Sequence, residues 1–182
     1  MKKIIFCLII ILVFLGCEKK ETPTGNILKP ISNNDHKIDS LLTYQENGKK
    51  DFEIKLVDGK KSGVGYLYNN KDEIAGFRTY ENDKRNGSTL LLNEQTKMPK
   101  YLIEFNNDKA DGVFVEFYNN GGIKSFRNAD ILHDGQVIEF HENGVIKEFG
   151  NTIRGSAHGI WLYFDTQGML EKKVEYDHGS VK

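Results

Sequence analysis

The chain has 182 residues, with 25 basic and 26 acidic side chains and a formal net charge of −1. That balance, with no basic patch, argues against a nucleic-acid partner. Only two cysteines occur, so a framework of several disulfides is excluded at the outset.

The N-terminus reads Met1-Lys2-Lys3 and then an apolar run from Ile4 to Leu15. Twelve residues are too few to span a bilayer as a helix, which takes about 20. A short basic segment followed by such a run reads as an export signal. It closes on Phe14-Leu15-Gly16-Cys17, which resembles the lipobox of bacterial lipoproteins. The resemblance implies cleavage between Gly16 and Cys17 and lipidation of the Cys17 thiol. Residues 1–16 would then be the signal peptide. Cys7 would be lost with it, leaving the mature chain without a free thiol, a disulfide or a zinc–thiolate site. The implied location is the bacterial cell envelope, lipid-anchored, with the outer membrane (periplasmic or surface side) favoured.

Residues 17–38 are polar and punctuated by Pro23, Gly25 and Pro30. They read as a flexible tether; Ile27, Leu28 and Ile31 would also permit a short arm packed on the folded part. Ile38, Leu41 and Leu42 fall at helical spacing behind Asp35. Yet Asp39 lies 24 residues before Gly63, in step with a glycine period that runs through the rest of the chain, and this register favours a degenerate first repeat.

From residue 39 to residue 182 the chain is periodic. Gly63, Gly87, Gly112, Gly135 and Gly159 recur at intervals of 24, 25, 23 and 24 residues, the signature of a repeat array. The third and fifth residues after each marker are apolar: Tyr66/Tyr68, Leu90/Leu92, Val115/Phe117, Ile138/Phe140 and Leu162/Phe164. A spacing of two places both on one face of a strand, taken here as the packed face. Turn signals come next, such as Asn120-Gly121, Asn143-Gly144 and Gln167-Gly168, then a second strand. The marker glycines, preceded by Asp, Asn or His in most repeats, read as turns between repeats. The expected fold is all-β: an elongated antiparallel β-meander of about six tandem hairpin repeats of about 24 residues.

The segments Asp111–Gly121, Asp134–Gly144 and Gly159–Phe164 resemble the MORN repeat, and more closely its variant form. Proteins of this type are often labelled YwqK-like antitoxins, and many bacterial members are exported lipoproteins. The resemblance covers about residues 45–182 and is weakest around Gly87, where the aromatic and the Asn-Gly turn are lost. It implies an antiparallel β array and leaves the function poorly defined, with an antitoxin or immunity role as one reading.

Catalytic constellations are not legible. There is no Gly-x-Ser-x-Gly elbow, and the five histidines (His36, His133, His141, His158, His178) form no metal motif. His133 and His158 precede marker glycines and read as turn or surface residues; the alternative is a metal site shared between repeats. Glu116 and Glu139 occupy the fourth position of successive repeats. They read as a solvated face, the alternative being the carboxylate pair of a glycan hydrolase. With the third and fifth positions packed, the second and fourth form another face carrying Phe114, Trp161 and Tyr163 among charges. That face is either a binding surface or an aromatic ladder that stabilises the sheet. The functional expectation is a non-enzymatic, membrane-anchored envelope protein with no cofactor or metal, whose array binds a protein partner.

Overall fold

The computed structural model describes residues 37–128 and 134–182. The expected signal peptide, the Gly16–Cys17 junction, the tether, His36 and His133 lie outside the described residues.

The described residues are all strand and turn, in one 14-stranded antiparallel sheet. The strands are β1 (Ile38–Tyr44), β2 (Lys50–Val57), β3 (Lys60–Lys61), β4 (Gly63–Tyr68), β5 (Ile74–Glu81), β6 (Lys84–Leu92) and β7 (Pro99–Asn106). They continue with β8 (Lys109–Phe117), β9 (Ile123–Asn128), β10 (Gly135–Phe140), β11 (Ile146–Ile153), β12 (Ser156–Phe164), β13 (Leu170–Asp177) and β14 (Ser180–Val181). Spatial order follows chain order, with the short β3 paired beside β2. Six hairpins therefore stack as an antiparallel meander, the expected class. Residues 38–44 are a strand, not a helix: Leu41 lies opposite Ile54 and Leu42 opposite Glu53.

Two kinds of turn alternate. The hairpin heads span 45–49, 69–73, 118–122, 141–145 and 165–169. In each, the first N–H donates to the fifth carbonyl and the fourth N–H donates to the first carbonyl. The head at 93–98 is one residue longer. In the Asn-Gly heads the glycine alone is left-handed, while the preceding Asn side chain accepts a backbone N–H two residues on. The opposite edge carries two-residue turns with both residues at positive φ. These are Asp58-Gly59, Asn82-Asp83, Asn107-Asp108, Arg154-Gly155 and His178-Gly179, the mirror-image turns that match strand twist.

The marker glycines do not occupy those turns. Gly87, Gly112 and Gly159 sit inside β6, β8 and β12, where the pairing register slips against β5, β7 and β11. All five markers have positive φ, from 73° to 141°. Gly87, Gly112 and Gly159 are bulge residues, and a bulge bends its strand and increases local twist. These bends, at the same place in three repeats, curve the sheet.

Burial shows the direction of the curve. Cross-strand partners share a face. One face holds Ile54, Thr89, Ser125, Val137 and Trp161, all buried, together with buried Gly65, Gly76 and Gly150. Among the described residues, the only buried apolar side chain on the other face is Val115. A single-layer sheet can bury a side chain only against neighbours on the same face, so it curls toward the first, here called the inner face. The expectation of a packed third-and-fifth face is thus corrected: on the marker strands the second position is buried at Gly65, Thr89, Val137 and Trp161, and the third only at Val115. The third position still forms a ladder that is apolar from end to end, Tyr66–Phe77–Leu90–Leu102–Val115–Phe126–Ile138–Phe149–Leu162, mostly half-buried.

Contacts beyond the ladder tie successive repeats along both edges. The Asp83 N–H donates to the Lys61 carbonyl (3.0 Å), and its carboxylate accepts the Lys61 N–H (2.8 Å). Asp108 repeats this with Arg85, and Asp58 with Lys37. Along the heads, the Tyr118 hydroxyl donates to the Phe140 carbonyl (2.7 Å). His141 occupies the equivalent place and meets the Phe164 carbonyl at 2.9 Å, which fixes its proton on Nε2.

Candidate interaction face

The fourth positions and their partners make one unbroken row across the inner face. It runs Phe52–Leu67–Gly76–Leu91–Tyr101–Glu116–Ser125–Glu139–Glu148–Tyr163–Lys172. The first half is apolar and the second half polar, at the same backbone positions.

The structure places Phe114, Trp161 and Tyr163 on this face, in two separate groups. Phe114 packs beside Tyr101, with ring centroids 5.9 Å apart and the Arg127 guanidinium 5.9 Å from its ring. Trp161 is only 7% exposed. Its indole lies over Gly150, where an added Cβ would collide with the ring, and its Nε1–H donates to the Asn151 carbonyl at 3.0 Å. It is a packing residue, with Tyr176 set edge-on at 6.3 Å. Tyr163 shares a hydroxyl–hydroxyl bond with Tyr176 (2.9 Å) and lies under the Lys172 ammonium, 4.1 Å from its ring centre. Burial, followed by that hydrogen bond, raises the Tyr163 phenol well above its ordinary pKa. Tyr68 behaves similarly: burial and its 2.8 Å bond to Glu53 push it up to about 12.

Glu116 and Glu139 sit in register on either side of Ser125, about 10 Å apart by strand spacing. Lysines engage them separately: Lys124 meets Glu116 at 3.0 Å, and Lys147 meets Glu139 at 3.3 Å. The hydrogen bond to Glu116 raises Lys124. The carboxyl that stands out is Glu148, directly opposite Glu139, where burial first and the Glu139 charge second raise its pKa.

Sequence reasoning missed Glu148, Lys172 and Tyr176 as members of this face. They lie on second strands, and their pairing depends on bulges that spacing does not show. It also missed an exposed apolar column. Ile74, Ile123, Ile146 and Leu170 open the second strands of four repeats, each opposite a fifth-position residue, and are 40–56% exposed. Equivalent members in adjacent repeats stand about 10 Å apart. At the longer head, Ala75, Leu91, Lys100 and Tyr101 help line an open cleft of about 420 Å³.

Fold and face together define a curved, open β-hairpin repeat array with one long ordered surface. Residues 134–148 and 157–178 match the MORN repeat variant, so the last two repeats of the array are MORN-variant repeats. No curated protein matches the chain.

Proposed function

We propose that this protein is a non-enzymatic lipoprotein of the bacterial envelope, anchored through lipidated Cys17, whose array binds a protein partner. The observation that carries the binding reading is the exposed column Ile123, Ile146 and Leu170, repeated at one register beside the charged half of the inner face, with Ile74 at the same register in the apolar half. Solvent-exposed apolar side chains in a regular line favour an extended partner with apolar groups at matching spacing. The anchor reading rests on the basic start, the twelve-residue apolar run and Phe14-Leu15-Gly16-Cys17. The engagement of Glu116 and Glu139 by different lysines supports structural over acid–base roles for both.

Two experiments test the reading. Cells fed labelled palmitate should label the native chain and not Cys17→Ala; label retained on the variant sinks the anchor. A photo-crosslinker at Ile123 or Ile146 should trap one protein, and Leu170→Asp should reduce that capture. Capture unchanged by the substitution, or crosslinks to lipid alone, rejects the proposed surface. If the trapped protein is a toxin in one-to-one ratio, the surface is that of an immunity protein. A glycan-cleaving activity lost in Glu116→Gln would overturn the non-enzymatic reading.

A further inference from the structure

At the corner where β12, β13 and the turn before β14 meet, three side chains with metal-binding chemistry converge. His158 lies on β12, Asp177 ends β13, and His178 is the first residue of the His178-Gly179 turn. Their donor atoms all lie within 4.8 Å of one another. Asp177 Oδ1 is 2.7 Å from His178 Nδ1 and 3.5 Å from His158 Nδ1. The two imidazoles meet edge to face, with centroids 4.8 Å apart. We propose that His158, Asp177 and His178 form a binding site for a borderline divalent transition-metal ion of the zinc type.

Three independent features point the same way. Ligand bonds of about 2.0–2.2 Å in a tetrahedral set separate neighbouring donor atoms by roughly 3.3 Å. The His158–Asp177 spacing already fits that figure; His178 would exchange its 2.7 Å hydrogen bond to Asp177 for the metal, its donor atom lying within 4.8 Å of the other two. His158 Nδ1 is buried and has no hydrogen-bond partner, so a ligand bond there would displace no existing hydrogen bond. Two imidazole nitrogens with one carboxylate oxygen suit zinc, nickel, copper or cobalt and not calcium or magnesium.

A further feature is the repeat itself. The place of His158 is held elsewhere by Ser62, Asn86, Asp111 and Asp134. The place of Asp177 is held by Val57, Glu81, Asn106 and Ile153, and that of His178 by Asp58, Asn82, Asn107 and Arg154. Strand pairing and turn geometry are satisfied by those other residues. The fold therefore does not require two histidines and an aspartate here, and they coincide at one corner only among the described repeats. With three protein ligands, a fourth position stays open to water or to a partner's side chain. A bound ion would rivet the β13–β14 turn onto β12.

The test is calorimetric titration of the purified full chain with zinc chloride. The His158→Gln/His178→Gln double variant should bind one ion fewer per chain than the unaltered protein. Asp177→Asn should weaken that same event by about tenfold or more. His141→Gln, which alters a histidine remote from the corner, should keep it. An unchanged number of bound ions in the double variant overturns the site, as does equal loss in His141→Gln. A second measurement needs no variant: substoichiometric cobalt should broaden the ring proton signals of His158 and His178 before those of His141. Broadening at His141 first, or at no histidine, also overturns it.

Discussion

The two ends of the inner face solve one geometric problem with opposite chemistry. From β2 to β7 the fourth-position row is Phe52, Leu67, Gly76, Leu91 and Tyr101; from β8 to β13 it is Glu116, Ser125, Glu139, Glu148, Tyr163 and Lys172. The first set gains by mutual cover, with Phe52 lying over Gly65 and edge-on to Tyr80. The second depends on counter-charges from Lys124, Lys147 and Lys172 and on the Tyr163–Tyr176 hydroxyl pair. Turns, bulges and the apolar ladder of the other face are common to both ends. The architecture is therefore held by backbone devices, and the row is free to vary with function.

The comparison is broken hardest at Trp161, the large aromatic anchor of the charged half. Trp161→Ala should cost about 3–5 kcal/mol of unfolding free energy, read from urea denaturation. Ile54, 2% exposed, anchors the apolar half. Ile54→Ala should cost about 2–5 kcal/mol by the same measurement. If either loss is below about 1 kcal/mol, that half is not held by its buried anchor.

Gly159→Ala isolates the backbone device. Its added Cβ would meet nothing within 4 Å, but φ is +73°. A loss of about 1–2 kcal/mol is expected from conformation alone. No loss would mean that the bulge relaxes freely and does not set the curve.

The smallest effect sharpens the charged half. Burial raises Glu148, so the folded state holds its proton more tightly than the unfolded chain does. Its contribution to stability therefore falls as pH rises from the ordinary carboxylate range through the raised value. Glu148→Gln should be the more stable protein at neutral pH, by less than about 1 kcal/mol because the group is partly solvated. The gain should vanish in acid, as chemical denaturation at several pH values would show. A gain that persists in acid would point to packing instead of charge.

Much of this is legible in the sequence. The glycine period, the third and fifth apolar positions and the Asn-Gly heads define the meander and its repeat length. Spacing of two also puts Trp161 and Tyr163 on one face. What spacing cannot reach is anything that crosses a bulge. A bulge sets two residues against one, so it leaves the period intact while shifting which second-strand residue faces each first-strand residue. Trp161 reads as an exposed aromatic because the glycine beneath it, Gly150, belongs to another strand. The marker glycines read as turns because positive φ serves both roles. The convergence of His158 with His178 is hidden because the 19 residues between them form a hairpin whose pairing brings the two ends together.

Spatial order that never departs from chain order has a consequence for how the molecule is made and lost. Each hairpin finds its neighbour without closing a long loop, so contact order is low for an all-β protein and assembly can proceed stepwise along the chain. Disassembly takes the same path backwards. Hydrogen exchange should therefore report a gradient of protection, lowest at β1 and β14 and highest near β7 and β8, with no sharp boundary between folded and unfolded parts.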